Sequence, residues 1–252
     1  MLHSMKDIRD FQIAATDGTL GVVDDFLFDE RDWTIRYLVA KTGGWATGRK
    51  MLISPQAIKE IDWEQESVLI NLAQQQVRKI PAVDAGKPAS RQHEAEFARH
   101  YAYLSSWNQP YLWGESALPD LPANPDLDAG SDELRYQDAQ QDSPHLRSSR
   151  DVETYAIRTT DNTIGHIEDF LFEDRGWSIP MVVAETREWW PGKHVLIATA
   201  RIDYIDWEDR CIAVRVTREE LEHNPDYDLM SAHPEGAVQD LYRRFWRSPY
   251  SP

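Results

Sequence analysis

Gly21-Val-Val-Asp-Asp-Phe-Leu-Phe28 recurs 144 residues further on as Gly165-His-Ile-Glu-Asp-Phe-Leu-Phe172. Aligned outward from this stretch, residues 12–84 match residues 156–228 without a gap, with 26 identities in 73 positions. Asp17 falls on Asp161, Trp33 on Trp177, Ala40 on Ala184, Trp45 on Trp189 and Gly48 on Gly192. The tightest block sets Ile61-Asp-Trp-Glu64 against Ile205-Asp-Trp-Glu208. Unrelated segments of this composition would share only a handful of residues, so one structural unit occurs twice. The likeness continues beyond the unit. Tyr103, Trp107, Pro110 and Tyr111 return as Tyr242, Trp246, Pro249 and Tyr250, now 139 residues apart. The first copy therefore carries five extra residues, placed in the loop around Asp84–Ser90.

Inside each unit the apolar residues alternate with a period near two over short runs, which predicts strands. In the first copy these are Phe11 to Ala15, Leu20 to Phe28, Ile35 to Thr42, Leu52-Ile53, Ile58 to Trp63 and Val68 to Leu72. Asp17-Gly18 and its counterpart Asp161-Asn162 supply turn residues that tolerate a left-handed backbone. Glu64-Gln65 and Glu208-Asp209 sit at a tight hairpin. Thr217-Arg-Glu-Glu220 reads as a capping box opening a short helix that ends before Pro225. Six short strands without crossover helices imply a mainly β fold, two small antiparallel barrels or rolled sheets. After each unit, Phe97, Tyr101 and Leu104, and likewise Val238, Leu241, Tyr242 and Phe245, have the spacing of an amphipathic helix packing on its barrel.

Gly114 to Glu153 holds ten acidic residues, three basic ones, four prolines and a single aromatic, Tyr136. Such a segment buries too little apolar surface to offset its ordering entropy, and reads as a solvated, charge-extended tether. The expected organisation is a first repeat with helical tail over 1–113, an acidic linker over 114–150, and a second repeat with tail over 151–252. The whole chain has 252 residues and a formal net charge of −16. That field disfavours nucleic acid and anionic membrane surfaces, and the densest basic runs, Arg49-Lys50 and Arg243-Arg244, are short. One cysteine excludes an internal disulfide and a cysteine-based zinc cluster. The polar stretch Met1 to Asp10 has no apolar signal core, and no run approaches the roughly 18 apolar residues of a membrane span. The expected location is cytoplasmic.

A Gly-x-x-x-Asp-Phe-Leu-Phe strand (Gly21 to Phe28) leads to Trp33, a Val39 to Thr42 strand end, a Gly43-Gly-Trp-x-x-Gly-Arg-Lys50 loop and Leu52-Ile-Ser-Pro55. This pattern resembles the PRC-barrel family, named for the cytoplasmic domain of the photosynthetic reaction centre H subunit; a related barrel ends a ribosome maturation factor. The resemblance covers both copies and their tails, and marks the chain as similar to stand-alone bacterial members, here with two repeats. It implies a non-catalytic barrel that contacts other proteins. The expectation is that neither the H subunit's membrane helix nor the maturation factor's separate N-terminal domain has a counterpart here, and the acidic charge is wrong for direct contact with rRNA.

The residues themselves offer few sites for chemistry. There is no Gly-x-Ser-x-Gly elbow, phosphate loop or dinucleotide fingerprint. Cys211 aligns with Ser67 at a strand start and reads as a half-buried strand residue. Asp24-Asp25 and Glu168-Asp169, as strand neighbours, point to opposite faces and do not converge; they read as solvated strand edges. His93, Glu96 and His100 lie on one helical face at i, i+3, i+7, a spacing that suits a divalent ion, although the second copy has Ala232, Glu235 and Gln239 there. A solvated helix face explains the same pattern. Trp45 with Arg49, and Trp189-Trp190 with Lys193, have the composition of interface anchors. They equally suit rings folded back to plug their own barrel. Trp107 and Tyr111, and Trp246 and Tyr250, pose the same choice between stapling the helix and docking outward.

The expected function is therefore a protein-interaction or assembly module without catalysis or cofactor. Its partner is a protein, with the repeats pairing about a pseudo-twofold and homo-oligomers open to it. The alternative is a small-ligand or metal-binding sensor with its site between the barrels.

Overall fold

The computed structural model describes residues 2–43, 49–79, 146–186, 194–223 and 227. Among them the fold is mainly β, with two seven-stranded sheets and a few short helices, as the alternation predicts. In the first repeat the elements are β1 (Leu2–Ser4), α1 (Met5–Ile8), β2 (Gln12–Ala15), β3 (Gly18–Asp29), β4 (Thr34–Thr42), β5 (Arg49–Ile53), β6 (Ile58–Asp62), β7 (Ser67–Ile70) and α2 (Gln74–Arg78). The second repeat gives β8 (Leu146–Ser148), α3 (Ser149–Val152), β9 (Ala156–Arg158), β10 (Thr163–Glu173), β11 (Met181–Glu185), β12 (His194–Ala198), β13 (Ile202–Asp206), β14 (Cys211–Val214) and α4 (Arg218–Glu222). The segments after each unit, with their aromatic tails, lie outside the described residues.

Six strands of each repeat follow the same order, β5-β4-β3-β2-β7-β6 and β12-β11-β10-β9-β14-β13. Neighbours pair antiparallel except β2 with β7 and β9 with β14, which are parallel. The seventh strand of each sheet comes from the other repeat: β1 pairs with β10, and β8 with β3. Residues 146–150 thus correct the linker reading at its C-terminal end. The acidic composition of 114–153 conceals a short strand and helix in which Leu146, Ser149 and Val152 are buried. The same spacing of 144 pairs this segment with the beginning of the chain, Leu2 with Leu146, Ser4 with Ser148 and Asp7 with Asp151. The repeat therefore starts ten residues before Gln12.

The chain divides into two compact units that cut across the repeats. One comprises Met1–Arg9, Asp25–Arg36 and Ser148–Pro252; the other comprises Asp10–Asp24 and Tyr37–Arg147. The first holds the complete second-repeat sheet with β1 and α1. Along β10, Phe170 and Phe172 point to one face and Leu171 to the other, the period of two a strand imposes. Leu171 packs with Met181, Val183, Leu196, Ala198 and Tyr227, covered by Leu2 of β1. On the opposite face Phe172 meets Phe26 with ring centroids 5.9 Å apart, and Phe170 meets Phe28 at 5.5 Å. Trp33 stacks on Phe28 and Trp177 on Phe172, each with an interplanar angle of 17°. Both tryptophans have a left-handed backbone, φ 54° and 55°, a strained setting for an aromatic that buried stacking holds in place.

In the second unit, Ile13, Val23, Val39, Leu52, Ile53 and Val68 are buried. The Ile-Asp-Trp-Glu block is a hairpin device: Asp62 Oδ1 accepts from the Glu64 and Gln65 N–H groups at 3.0 Å. Asp206 does the same in the first unit with Glu208 and Asp209. The capping box is present as expected. Thr217 Oγ1 accepts from Glu220 N at 3.2 Å, and Glu220 Oε2 accepts from Thr217 N at 2.7 Å. Thr217→Ala should cost about 1 kcal/mol, read in a urea transition and in faster hydrogen exchange confined to α4. Equal exchange in both proteins would contradict it. Among the described residues no helix is long and apolar enough to cross a membrane.

Candidate functional site

Each Gly-x-x-x-Asp-Phe-Leu-Phe strand turns its Asp inward. Asp25 is 2% exposed and Asp169 fully buried, so these carboxylates are not solvated strand edges. Burial of a charge demands partners, and the short strand–helix segments of the other repeat provide them. Ser4 is the N-cap of α1: its Oγ accepts from Asp7 N at 3.1 Å and donates to Asp169 Oδ2 at 2.5 Å. The Lys6 and Phe170 N–H groups donate to Asp169 Oδ1 at 3.3 and 2.7 Å. Ser148 repeats this as the N-cap of α3, accepting from Asp151 N at 3.2 Å and donating to Asp25 Oδ2 at 2.5 Å. Ser149 Oγ, Arg150 N and Phe26 N complete the shell of Asp25 Oδ1 at 2.7, 3.2 and 2.8 Å.

These contacts are reciprocal, and so are others within the same unit. Ile35 N donates to Trp177 O at 2.7 Å, and its counterpart Ile179 N to Trp33 O at 2.6 Å. Thr34 and Ser178, equivalent positions, form an isolated antiparallel bridge. Arg9 and Glu153 are also equivalent, yet opposite in charge. Arg9 Nη1 donates to Glu153 Oε2 at 2.9 Å, Nη2 donates to Oε1, and Nη2 reaches Ser149 Oγ at 2.9 Å. Burial pushes the Asp169 carboxyl up to about 6, against the opposing pull of the Ser4 hydroxyl and the Phe170 and Lys6 N–H groups. Every serine hydroxyl here is committed to a carboxylate, all four carboxylate oxygens accept from serine hydroxyls or backbone N–H groups, and the arrangement holds chain segments together. It presents no activated nucleophile.

Glu168, next to Asp169, points the other way, as strand neighbours should. A register shift between Ile167 and Asp169 interrupts the β10–β11 ladder at this point. Glu168 Oε1 is paired with Lys6 Nζ. Its Oε2 lies 3.6 Å from His166 Nε2, and Glu185 Oε2 lies 3.3 Å from the same nitrogen. In the first repeat the corresponding positions are Val22, Asp24 and Lys41, and Lys50 Nζ sits 2.9 Å from Asp24 Oδ2.

Of the residues singled out in the sequence, Arg49 is described: it opens β5, is exposed, and its carbonyl accepts from Thr42 Oγ1 at 3.1 Å. Trp45, Trp189, Trp190, Lys193, Trp107, Tyr111, Trp246 and Tyr250 lie outside the described residues, as do His93, Glu96 and His100. Cys211 opens β14 and is buried rather than half-buried, because β9 and β13 flank it. Sequence reasoning missed the exchanged segments and the His166 cluster. The Leu-x-Ser-x-x-Asp repeat at residues 2–7 and 146–151 was the available signal for the first. The second has none, since only side chains that differ between the repeats compose it. Among the described residues the exposed large aromatics are Trp63, at 38%, and Tyr204, at 50%, both on the β6 and β13 edge hairpins.

Compared with known families, residues 3–76 match the model of the PRC-barrel domain. The matched span starts within β1 and ends within α2, so it includes the segment that pairs with the second-repeat sheet. No curated protein matches the chain.

Proposed function

With a PRC-barrel domain at residues 3–76 as the premise, we propose that this protein is a non-catalytic interaction or assembly module working in the cytoplasm. It binds a protein partner rather than nucleic acid, and its two repeats pair about a pseudo-twofold within one chain. The observation that carries this reading is the division of labour between shared and unshared residues. Side chains common to both repeats (Asp25 and Asp169, Phe26 and Phe170, Phe28 and Phe172, Trp33 and Trp177, Asp62 and Asp206) are engaged in holding the fold. Side chains whose chemistry differs between the copies include Val22 and His166, Lys41 and Glu185, Gly43-Gly44 and Arg187-Glu188, and Lys50 and His194. Two copies of one active site would keep the same chemistry in each copy. A frame that offers two different surfaces would keep the core and vary the rims.

The loops bearing Trp45 and Trp189 are the proposed contact surface, and tryptophan is the residue type that most often dominates such energetics. Affinity capture from native extract with full-length bait, followed by quantification of the partner, tests this directly. Trp45→Ala/Trp189→Ala should lower recovery of the specific partner at least about tenfold, while circular dichroism stays unchanged. Equal recovery by both baits would remove these loops from the docking surface.

A further inference from the structure

We propose that His166, Glu168 and Glu185 form a divalent-cation site, with zinc as its best-fitting ion. The inference is independent of the interaction reading above. His166 on β10 and Glu185 on β11 are direct register partners, so their side chains leave the same face of the sheet. Glu168 is brought to them at the register shift in β10. The three ligand atoms all lie within 4.8 Å of one another. Tetrahedral zinc with bonds of about 2.0–2.2 Å sets its ligand atoms roughly 3.3–3.6 Å apart. The separations from His166 Nε2, 3.3 Å to Glu185 Oε2 and 3.6 Å to Glu168 Oε2, fall on those edges. One imidazole and two carboxylates make a borderline-hard set, leaving a fourth position open to water.

The surroundings suit a metal in three further ways. The side chains of His166, Glu168 and Glu185 are 20%, 26% and 15% exposed, shielded enough to be held and open enough for an ion to enter. Lys6 Nζ holds the second oxygen of Glu168, the kind of outer partner that orients a ligating carboxylate. Finally, the first repeat supplies its own cation at the equivalent place, where Lys50 Nζ pairs with Asp24. The second repeat has exchanged both lysines of that patch, Lys41 for Glu185 and Lys50 for His194, and has gained His166 in place of Val22. The Lys50 ammonium has thus given way to His194 and the Lys41 ammonium to a carboxylate donor, while Lys6 remains as the outer partner of Glu168.

The first repeat also provides variants already compatible with this strand geometry: His166→Val and Glu185→Lys install its residues at the matching positions. Isothermal titration of the full-length chain with zinc chloride should show one ion bound per chain. Either variant should weaken that binding at least about 100-fold while the thermal transition persists. His93→Ala/His100→Ala should leave this binding unchanged. X-ray absorption of the zinc-loaded protein should show nitrogen and oxygen ligands without sulfur. No zinc binding by the wild type, unchanged binding in His166→Val and Glu185→Lys, or loss only in His93→Ala/His100→Ala would each overturn the assignment.

Discussion

Gly165→Ala is expected to lower stability by about 3–5 kcal/mol and Tm by roughly 10 °C. Two penalties act together. Gly165 has φ +69°, a left-handed backbone that an alanine adopts only with strain. Its missing Cβ is also what lets the neighbouring strand close: a Cβ there would stand 1.8 Å from the carbonyl oxygen of Glu185. That obstacle is backbone, so no rotamer change relieves it, and β10 and β11 must part at the end of their ladder. Gly21, the equivalent residue, would set its Cβ 2.2 Å from the Lys41 carbonyl oxygen, so Gly21→Ala meets the same backbone obstacle without the left-handed penalty and should also destabilise. Gly176→Ala is the control. Its nearest neighbour would be Ser178 Oγ at 3.9 Å, and the change should stay within about 0.5 kcal/mol. Chemical denaturation of the three variants gives the answer; a Gly165→Ala protein as stable as Gly176→Ala would contradict the close approach.

Removing the carboxylate that receives β1 and α1 should be nearly as damaging. Asp169→Ala leaves the Ser4 hydroxyl and the Lys6 and Phe170 N–H groups facing a buried void, at a cost of about 3 kcal/mol or more. Asp169→Asn keeps the shape and isolates the charge. In the folded protein this carboxyl titrates at about 6, against 3.8 as its ordinary value. Between those values the folded state holds a proton that the unfolded chain has released. The group's contribution to stability is therefore fully present below about pH 4, falls as pH rises, and is lost above about pH 6. A shift of this size corresponds to roughly 3 kcal/mol. Urea transitions from pH 4 to pH 7, in EDTA so that no divalent ion titrates beside Glu168, should show the wild type losing ground to Asp169→Asn by roughly 2–3 kcal/mol. Parallel pH profiles for the two proteins would mean that the buried carboxyl titrates normally.

The strand pattern was legible because alternation and turn chemistry act locally. The repeat located both Asp-Phe-Leu-Phe strands and the Asp62 and Asp206 hairpins, and the Thr217-Arg-Glu-Glu220 motif located the capping box. The burial of Asp25 and Asp169 was not legible, because a carboxylate in a strand reads as a solvated edge unless its partners are known. Those partners come from segments of three and four residues, Leu2 to Ile8 and Leu146 to Val152, too short for periodicity to register. The second of them was further obscured by an acidic neighbourhood whose average composition outweighs seven residues. The Gly21 and Gly165 pair was visible as an identity, but its reason, a strand carbonyl within reach of a Cβ, is a fact of tertiary approach. The His166 cluster escaped altogether, since motif spacing along the chain does not describe ligands that meet across a strand pair.

The exchange of β1 also sets an order of events during biosynthesis. Ser4 and the carboxylate that receives it are separated by 165 residues, a gap that a ribosome takes roughly ten to thirty seconds to cross. Once β7 is made and until residues 146–148 follow, the first repeat has every strand of its own sheet except the one lent by the second, while its opening segment has nothing to pair with. The first sheet thus waits on β8 and the β1 segment waits on β10, so neither sheet is complete until a segment of the other repeat has been made.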